Sequence, residues 1–198
     1  MEILYFDKDL VAAVKPVGVS SEDGPGGMPE LLRSELGGEI YPIHRLDLNV
    51  GGVMVYARTK GAAGALSRLV QDGAMVKEYR CLVHGTPPEG GILEDFLFKD
   101  SRKNKVFVVK KERKGVKKAK LEYTRLTGSD PSLLHIRLYT GRSHQIRVQF
   151  ASRGFPLLGD RKYGARDEAK APMLFSCRVS FPWKGQTKVF ERYPEWGG

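Results

Sequence analysis

Residues 44–58 have the sequence HRLDLNVGGVMVYAR. The second half, from Gly51 to Arg58, is a dense apolar run, which predicts a buried strand. The first half places the carboxylate of Asp47 just before that strand, close in sequence to Arg45 and His44. Positive charge keeps a carboxylate ionised, so Asp47 is a candidate nucleophile. A turn aspartate in a structural ion pair is the alternative, because structural ion pairs are common.

The rest of the chain predicts more strands than helices. Helices are expected at three places with capping signals, namely Pro29–Leu36, Lys60–Asp72 and Ser143–Ser152. Strands are expected at residues 3–7, 10–16, 51–58, 75–83, 106–109, 121–126, 133–139 and 173–181. Because the strands follow one another in groups, the predicted fold class is α+β with a mixed, mostly antiparallel sheet flanked by helices and loops.

Nearly all of the net charge of +10 lies in one segment. Residues 99–120, here called the basic ribbon, contain eleven Lys and Arg against two acidic residues. A concentrated basic segment is typical of a surface that binds a polyanion. A solvated lysine-rich hairpin is one alternative. An anionic membrane surface is another, although the segment lacks an amphipathic helical pattern.

Length and composition place the chain among globular proteins. Its 198 residues, 41% of them hydrophobic, predict one compact domain over residues 1–198. No apolar run approaches the roughly 20 residues that cross a bilayer, and no signal peptide is recognisable. Cys81 and Cys177 form no C-x-x-C pair. We therefore expect a cytoplasmic protein.

Two further segments combine aromatic, cationic and polar residues. Lys77–Arg80 places Tyr79 between charged residues in a predicted strand, where it could stack a nucleobase or simply pack in the core. Residues 140–147, TGRSHQIR, lie where a strand is expected to end and a helix to begin. Helix N–H groups and two arginines would meet there, as in anion-binding turns. The arginines could equally contact solvent or phosphate.

Together these segments resemble the RluA-type RNA pseudouridine synthases over almost the entire chain. Five short elements of that family occur in its order, and such a combination is specific. They are KPVG at 15–18, HRLD at 44–47, KEY at 77–79 with Gly85, GRSHQIR at 141–147 and PLLGDRKYG at 156–164. With about forty residues before HRLD, no N-terminal S4 domain is expected.

Four positions, in three segments, depart from the family pattern. The family's Thr-Ser-Gly after the aspartate is Val50-Gly51-Gly52 here. Its Val-His after the last arginine is Val148-Gln149, and Ser176 stands where many members have His. These changes bear on substrate preference and rate.

The resemblance implies roles for individual residues. Asp47 would be the catalytic carboxylate, Arg147 its salt-bridge partner and Tyr79 the residue that packs on the uracil. Ile146 would line the pocket, and Arg45 would fill the space left by the extruded base. The full set of predicted RNA- or uridine-binding residues is His44, Arg45, Arg142, Ile146, Lys110, Lys111, Arg113 and Lys114.

The implied reaction is the isomerisation of specific uridines in structured RNA, rRNA or tRNA, to pseudouridine. It needs no redox partner or group donor, so we expect no cofactor and no metal, and we expect a monomer. Asp47 could attack C1′ of the ribose, act as a base at C2′ to give a glycal, or attack C6 of uracil. The sequence leaves these routes open.

Other classes of protein make different demands. An RNA-binding module that has lost catalysis would fit the changes at Val50 and Gln149, although Asp47 is retained. A glycoside hydrolase usually needs a carboxylate pair, and no second acid accompanies Asp47 in these elements. A metal site would need ligand spacing that the four histidines and two cysteines do not show.

Overall fold

A computed structural model of the chain describes residues 1–197. In chain order, the strands and helices are β1 (Glu2–Phe6), β2 (Leu10–Lys15), α1 (Met28–Leu36), β3 (Tyr41–Pro42), β4 (Gly51–Ala57), α2 (Lys60–Gln71), β5 (Val76–Val83), β6 (Gly90–Asp100), β7 (Lys105–Val109), β8 (Val116–Arg125), β9 (Ser132–Leu138), α3 (Gln145–Ala151), β10 (Leu174–Trp183) and β11 (Gln186–Glu191).

The chain divides into two compact units. The first comprises Met1–Lys77 and Phe175–Trp196, and the second comprises Glu78–Leu174. The extension of one catalytic domain over residues 1–198 stays a prediction. Among the described residues, no helix has the length and apolar character needed to cross a membrane.

The sheet of the first unit is mixed. Strands β1, β2 and β4 pair antiparallel in that order, β3 also pairs with β4, and β10 pairs with β11. The pairing of β4 with β10 is parallel. Every residue of β4 is buried, as its apolar sequence predicts. Helix α2 begins after Thr59, whose hydroxyl accepts a hydrogen bond from Ala62 N at 3.1 Å, and it buries Leu66 in the core beside β4.

The second unit contains an antiparallel sheet with one helix on it. Strand β6 pairs with β7 and β8, and β8 pairs with β9. Within this unit the strand order is β5-β9-β8-β6-β7, so β7 lies at an edge. Val148 of α3 packs against Leu97, Val106 and Ala119. Because side chains alternate along a strand, the neighbours Phe96 and Phe98 point to the other face of the sheet.

These observations confirm the predicted α+β class with a mostly antiparallel sheet. Three strands, β3, β6 and β11, were not predicted. The helix expected from Ser143 begins two residues later, at Gln145. Its N-cap residue is His144, which has a left-handed backbone with φ of 52° and makes no side-chain cap. Ser143 is therefore not the cap that the sequence indicated.

Gly52 is required where β4 meets β10. Its φ is +129°, and a Cβ built there would lie 2.4 Å from both the backbone nitrogen and oxygen of Ser176. No side chain fits such a space unless one of the two strands moves. The close packing of β4 against β10 therefore explains why the last residue of the family's Thr-Ser-Gly is still glycine here. The same close packing favours a small side chain at position 176.

We expect Gly52→Ala to lower the free energy of unfolding by more than about 3 kcal/mol, through backbone strain and overpacking. Gly64→Ala is the matched control, because Gly64 lies inside α2 and a Cβ added there would meet nothing within 4 Å. That change should stabilise the protein by about 0.5–1 kcal/mol. Denaturant titration of both variants measures the difference, and equal stabilities would contradict the packing argument.

Candidate active site

Asp47 lies on a short turn between β3 and β4. Its backbone oxygen accepts a hydrogen bond from Val50 N at 3.0 Å, and the residue is half-buried. The next residue, Leu48, accepts a hydrogen bond through its backbone oxygen from Gly18 N at 2.9 Å. The turn that presents the carboxylate is therefore fixed to the loop that follows β2.

The ammonium group of Lys15 lies at the junction of these two loops. Its Nζ donates to the backbone oxygens of Val19 at 2.7 Å, Pro16 at 2.9 Å and Leu48 at 3.2 Å, and the residue has no exposed surface. Burial lowers the pKa of Lys15 to about 8, while attraction to the nearby Asp47 opposes that shift. The sequence showed Lys15 only as part of KPVG and gave it no role. In the structure, it supports the Asp47 turn.

His44 contacts the backbone of the neighbouring strand. Val55 N donates to its Nε2 at 3.1 Å, so the ring hydrogen is on Nδ1, which is buried. Burial, with a smaller effect from Lys77, lowers the pKa of His44 to about 3. The imidazole is therefore neutral at physiological pH and holds the chain before Asp47 against β4. Its predicted contact with uridine stays a prediction.

Arg45 points outward from the same segment. Its side chain is 62% exposed and forms an ion pair with Glu22 at 2.9 Å. Such a pair contributes about 1 kcal/mol or less, so it can be exchanged for another partner at small cost.

In the second unit, Arg147 is held by an acidic partner that the sequence reasoning missed. Its Nε donates to Asp160 Oδ2 at 2.7 Å and its Nη2 to Asp160 Oδ1 at 2.8 Å. Both side chains are buried, with 7% and 1% of their surface exposed. The guanidinium also lies 5.2 Å from the ring centre of Tyr163. Asp160 and Tyr163 belong to the PLLGDRKYG element, and this element was the feature of the sequence that could have indicated the partner of Arg147.

The turn before α3 is closed by Gln145. Its Oε1 accepts from Thr140 Oγ1 at 2.8 Å and from Arg142 N at 3.0 Å, and its Nε2 donates to Lys120 O at 3.1 Å. The guanidinium of Arg142 donates to Lys118 O at 3.0 Å. This turn therefore joins the start of α3 to the edge of the basic ribbon.

The remaining predicted site residues lie in the second unit as well. Tyr79 on β5 and Ile146 on α3 are buried, with 6% and 4% exposure. Lys110, Lys111, Arg113 and Lys114 are exposed at the turn between β7 and β8. The pairing of Asp47 with Arg147 stays a prediction, since these residues belong to different units.

Gln149, which replaces the family's histidine, makes a structural contact. Its Nε2 donates to Asp95 Oδ2 at 2.7 Å and to Leu93 O at 3.3 Å, which ties α3 to β6. Arg153 also pairs with Asp95 at 2.8 Å. Among the described residues, no group of three or more His, Cys, Asp or Glu side chains is arranged to hold a metal ion.

The sequence matches the RNA pseudouridylate synthase family over residues 9–152. The chain therefore belongs to this family of RNA-modifying isomerases, which confirms the resemblance stated above. An uncharacterised RNA pseudouridine synthase of Aquifex aeolicus is 33% identical, over 96% of this chain and 68% of the relative. Ribosomal large subunit pseudouridine synthase D of Zymomonas mobilis is 30% identical, over 89% of this chain and 60% of the relative.

Solved structures share the fold. Human RNA Pseudouridylate Synthase Domain Containing 4 has a TM-score of 0.82 at 23% identity, covering 98% of this chain and 89% of that one. Human RNA Pseudouridylate Synthase Domain Containing 1 has a TM-score of 0.84 at 22% identity, with 98% and 83% covered. The chain thus spans most of these structures, but only 60% of the length of the Zymomonas relative.

Proposed function

We propose that this chain converts specific uridines of structured RNA to pseudouridine, with Asp47 as the catalytic group. The observation that best supports this is the construction of the Asp47 turn. A half-buried carboxylate is presented between two loops that a fully buried lysine joins. A surface-exposed structural turn would not need a buried charge, whose desolvation is costly.

The reaction breaks the bond between C1′ and N1 of uridine and forms one between C1′ and C5. The base turns between these steps, and the proton on C5 is finally lost while N1 gains one, so no atom is added. Asp47 would act at C1′ as a nucleophile or at C2′ as a base, and attack on C6 of uracil is the older alternative. Each route uses one carboxylate, and we assign that role to Asp47.

Arg147 and Tyr79 would complete the catalytic set. Asp160 holds the Arg147 guanidinium by two hydrogen bonds, so its orientation is fixed before substrate binds. We propose that Arg147 aims Asp47, that Tyr79 packs on the uracil and that Ile146 lines its pocket. Preorganised groups of this kind lower the barrier because they do not reorient during the reaction.

A stacked uridine must leave its helix before it can reach Asp47, at a cost of a few kcal/mol. Arg45 would occupy the vacated space. Arg45 precedes Asp47 by two residues in the sequence. Because its ion pair with Glu22 is exposed, Arg45 can exchange Glu22 for an RNA partner at small cost. His44 and Arg142 are proposed to contact the same RNA.

Among structured RNAs we propose rRNA as the first candidate, with tRNA as the second. The name of the relative from Zymomonas mobilis refers to the large ribosomal subunit. We further propose that the chain acts in the cytoplasm as a monomer without a cofactor. Mapping of pseudouridines in rRNA and tRNA, from cells with and without the gene, would identify the target. An RNA-binding module without catalysis would leave both maps unchanged.

The basic ribbon is proposed to supply affinity without taking part in the chemistry. It contains most of the net charge, yet Asp47, Tyr79 and Arg147 all lie outside it. We expect replacement of Lys110, Lys111, Arg113 and Lys114 by Ser to weaken RNA binding. The slope of log affinity against log salt should fall by about 3 units, at 0.7–0.9 for each lost phosphate contact. The rate at saturating RNA should change little.

A matched control removes the same charge elsewhere, through Ser at the exposed positions Lys8, Lys60, Arg68 and Lys170. The control variant should reduce the slope of log affinity against log salt by less than the ribbon variant does. If the ribbon variant binds RNA as tightly as the wild type over a salt series, the basic ribbon is not the RNA-binding surface.

A further inference from the structure

The sheet of the second unit has aromatic side chains on the face opposite α3. Phe98 of β6 and Phe107 of β7 are direct cross-strand neighbours, and Phe96 lies two residues before Phe98 on the same face. We call these three residues the outer aromatic patch. Phe107 is 36% exposed, and the other two rings are half-buried. Their alternating neighbour Leu97 is buried on the α3 side.

A cation lies over each ring of the patch. Arg113 is 5.1 Å from the ring centre of Phe98, Lys105 is 5.8 Å from that of Phe107, and Lys118 is 5.9 Å from that of Phe96. Surfaces that bind single-stranded nucleic acid combine these features, because bases stack on the rings while cations contact the backbone. Glu112 lies 3.9 Å from Lys118, but the rest of the adjacent turn is basic.

The patch continues to the proposed catalytic arginine. Lys105 Nζ lies 5.3 Å from the ring centre of Tyr163, and the Arg147 guanidinium lies 5.2 Å from the same ring. The Tyr163 hydroxyl accepts a hydrogen bond from Val106 N at 2.9 Å, which places it at the edge strand β7. A series of alternating rings and cations therefore runs from Arg147 around the β7 edge to Phe107 and Phe98.

We propose that a single-stranded segment of the substrate RNA next to the target uridine follows this series and stacks its bases on Phe98 and Phe107. Lys105 and Arg113 contact the neighbouring phosphates. A single strand fits because its base faces are available, whereas a duplex hides them. The inference rests on the proposed function, because it takes RNA as the substrate and Arg147 as a residue near the reacting uridine.

The test compares RNA binding by the wild type and by the double variant Phe98→Leu/Phe107→Leu. Leucine keeps an apolar side chain on the sheet but removes the ring face. By fluorescence anisotropy, affinity for a labelled oligouridylate of about ten nucleotides should fall about tenfold or more, whereas affinity for a fully paired, blunt-ended RNA duplex should stay unchanged. The salt slope should also stay unchanged, since no phosphate contact is removed.

Two controls separate stacking from a general loss of structure. Phe98→Tyr/Phe107→Tyr keeps both ring faces and should bind like the wild type. Phe6→Leu removes a 56% exposed ring of the first unit, over which Arg58 lies at 5.8 Å, and should have no effect. Melting temperatures would verify that all three variants are folded.

Wild-type affinity of the leucine variant for the oligouridylate would overturn the inference. So would an equal loss of affinity for the duplex and for the single strand. Because the binding assay does not depend on turnover, it tests the outer aromatic patch independently of the proposed catalytic function. A chain that makes no pseudouridine in any RNA, yet loses single-strand affinity in the leucine variant, refutes the proposed function and supports the patch.

Discussion

Asp47→Asn is expected to abolish pseudouridine formation while leaving the fold and RNA affinity nearly unchanged. Asparagine has almost the same shape as aspartate, and it keeps the backbone oxygen of residue 47, which accepts a hydrogen bond from Val50 N. The amide can neither attack a sugar carbon nor accept its proton, so each route through this group is lost. Removal of an essential nucleophile or base typically lowers turnover by about a thousandfold or more.

The measurement is release of tritium from RNA labelled at C5 of uridine, under single-turnover conditions. Asn49→Ala is the matched control, because Asn49 is an exposed residue of the same turn. It should retain wild-type turnover. An Asp47→Asn protein that turns over within tenfold of the wild type would refute the assignment of Asp47.

Local sequence signals predicted β4 and α2 of the first unit well. The apolar run at Gly51–Arg58 is β4 at Gly51–Ala57, and Thr59 caps α2 as its residue type indicates. Both predictions depend on neighbours within about four residues, where propensity and capping operate. β6 was missed because its face opposite α3 also contains apolar residues, so Phe96, Leu97 and Phe98 lack a simple alternation.

The supports of the candidate site depend on contacts distant in the sequence. Lys15 donates to Leu48, which lies 33 residues away, and Arg147 pairs with Asp160, 13 residues away across a turn. The sequence motifs identified the segments that contain these residues. Sequence patterns do not, however, predict which side chains are in contact in the fold. The prediction of where α3 begins was wrong for a related reason. A left-handed His144 and the side chain of Gln145 close that turn, and neither is the cap that Ser143 suggested.

Arg147→Ala is expected to destabilise the protein and to lower turnover severely. The change leaves the carboxylate of Asp160, which is 1% exposed, without the two hydrogen bonds from Arg147. Breaking a buried ion pair by removing one partner costs about 3–5 kcal/mol. For a chain of this size, the melting temperature should fall by about 10 °C. Thermal unfolding and single-turnover rates measure the two effects.

Arg147→Lys should rescue only part of both losses. A lysine keeps the positive charge, but an ammonium group cannot reproduce two parallel hydrogen bonds to one carboxylate. We expect a stability between those of the wild type and the alanine variant. Normal rate and melting temperature in Arg147→Ala would contradict both proposed roles.

The double variant Arg147→Ala/Asp160→Asn separates stability from catalysis. Asparagine at 160 removes the buried unpaired charge, so part of the lost stability should return. If Arg147 acts only through the fold, turnover should recover with stability. If it aims Asp47 at the ribose, turnover should stay low although the protein is again stable. We expect the second result, because Asp160 already fixes the guanidinium through Nε and Nη2, an arrangement that orients an arginine for a further partner. Recovery of both quantities would make Arg147 a structural residue alone.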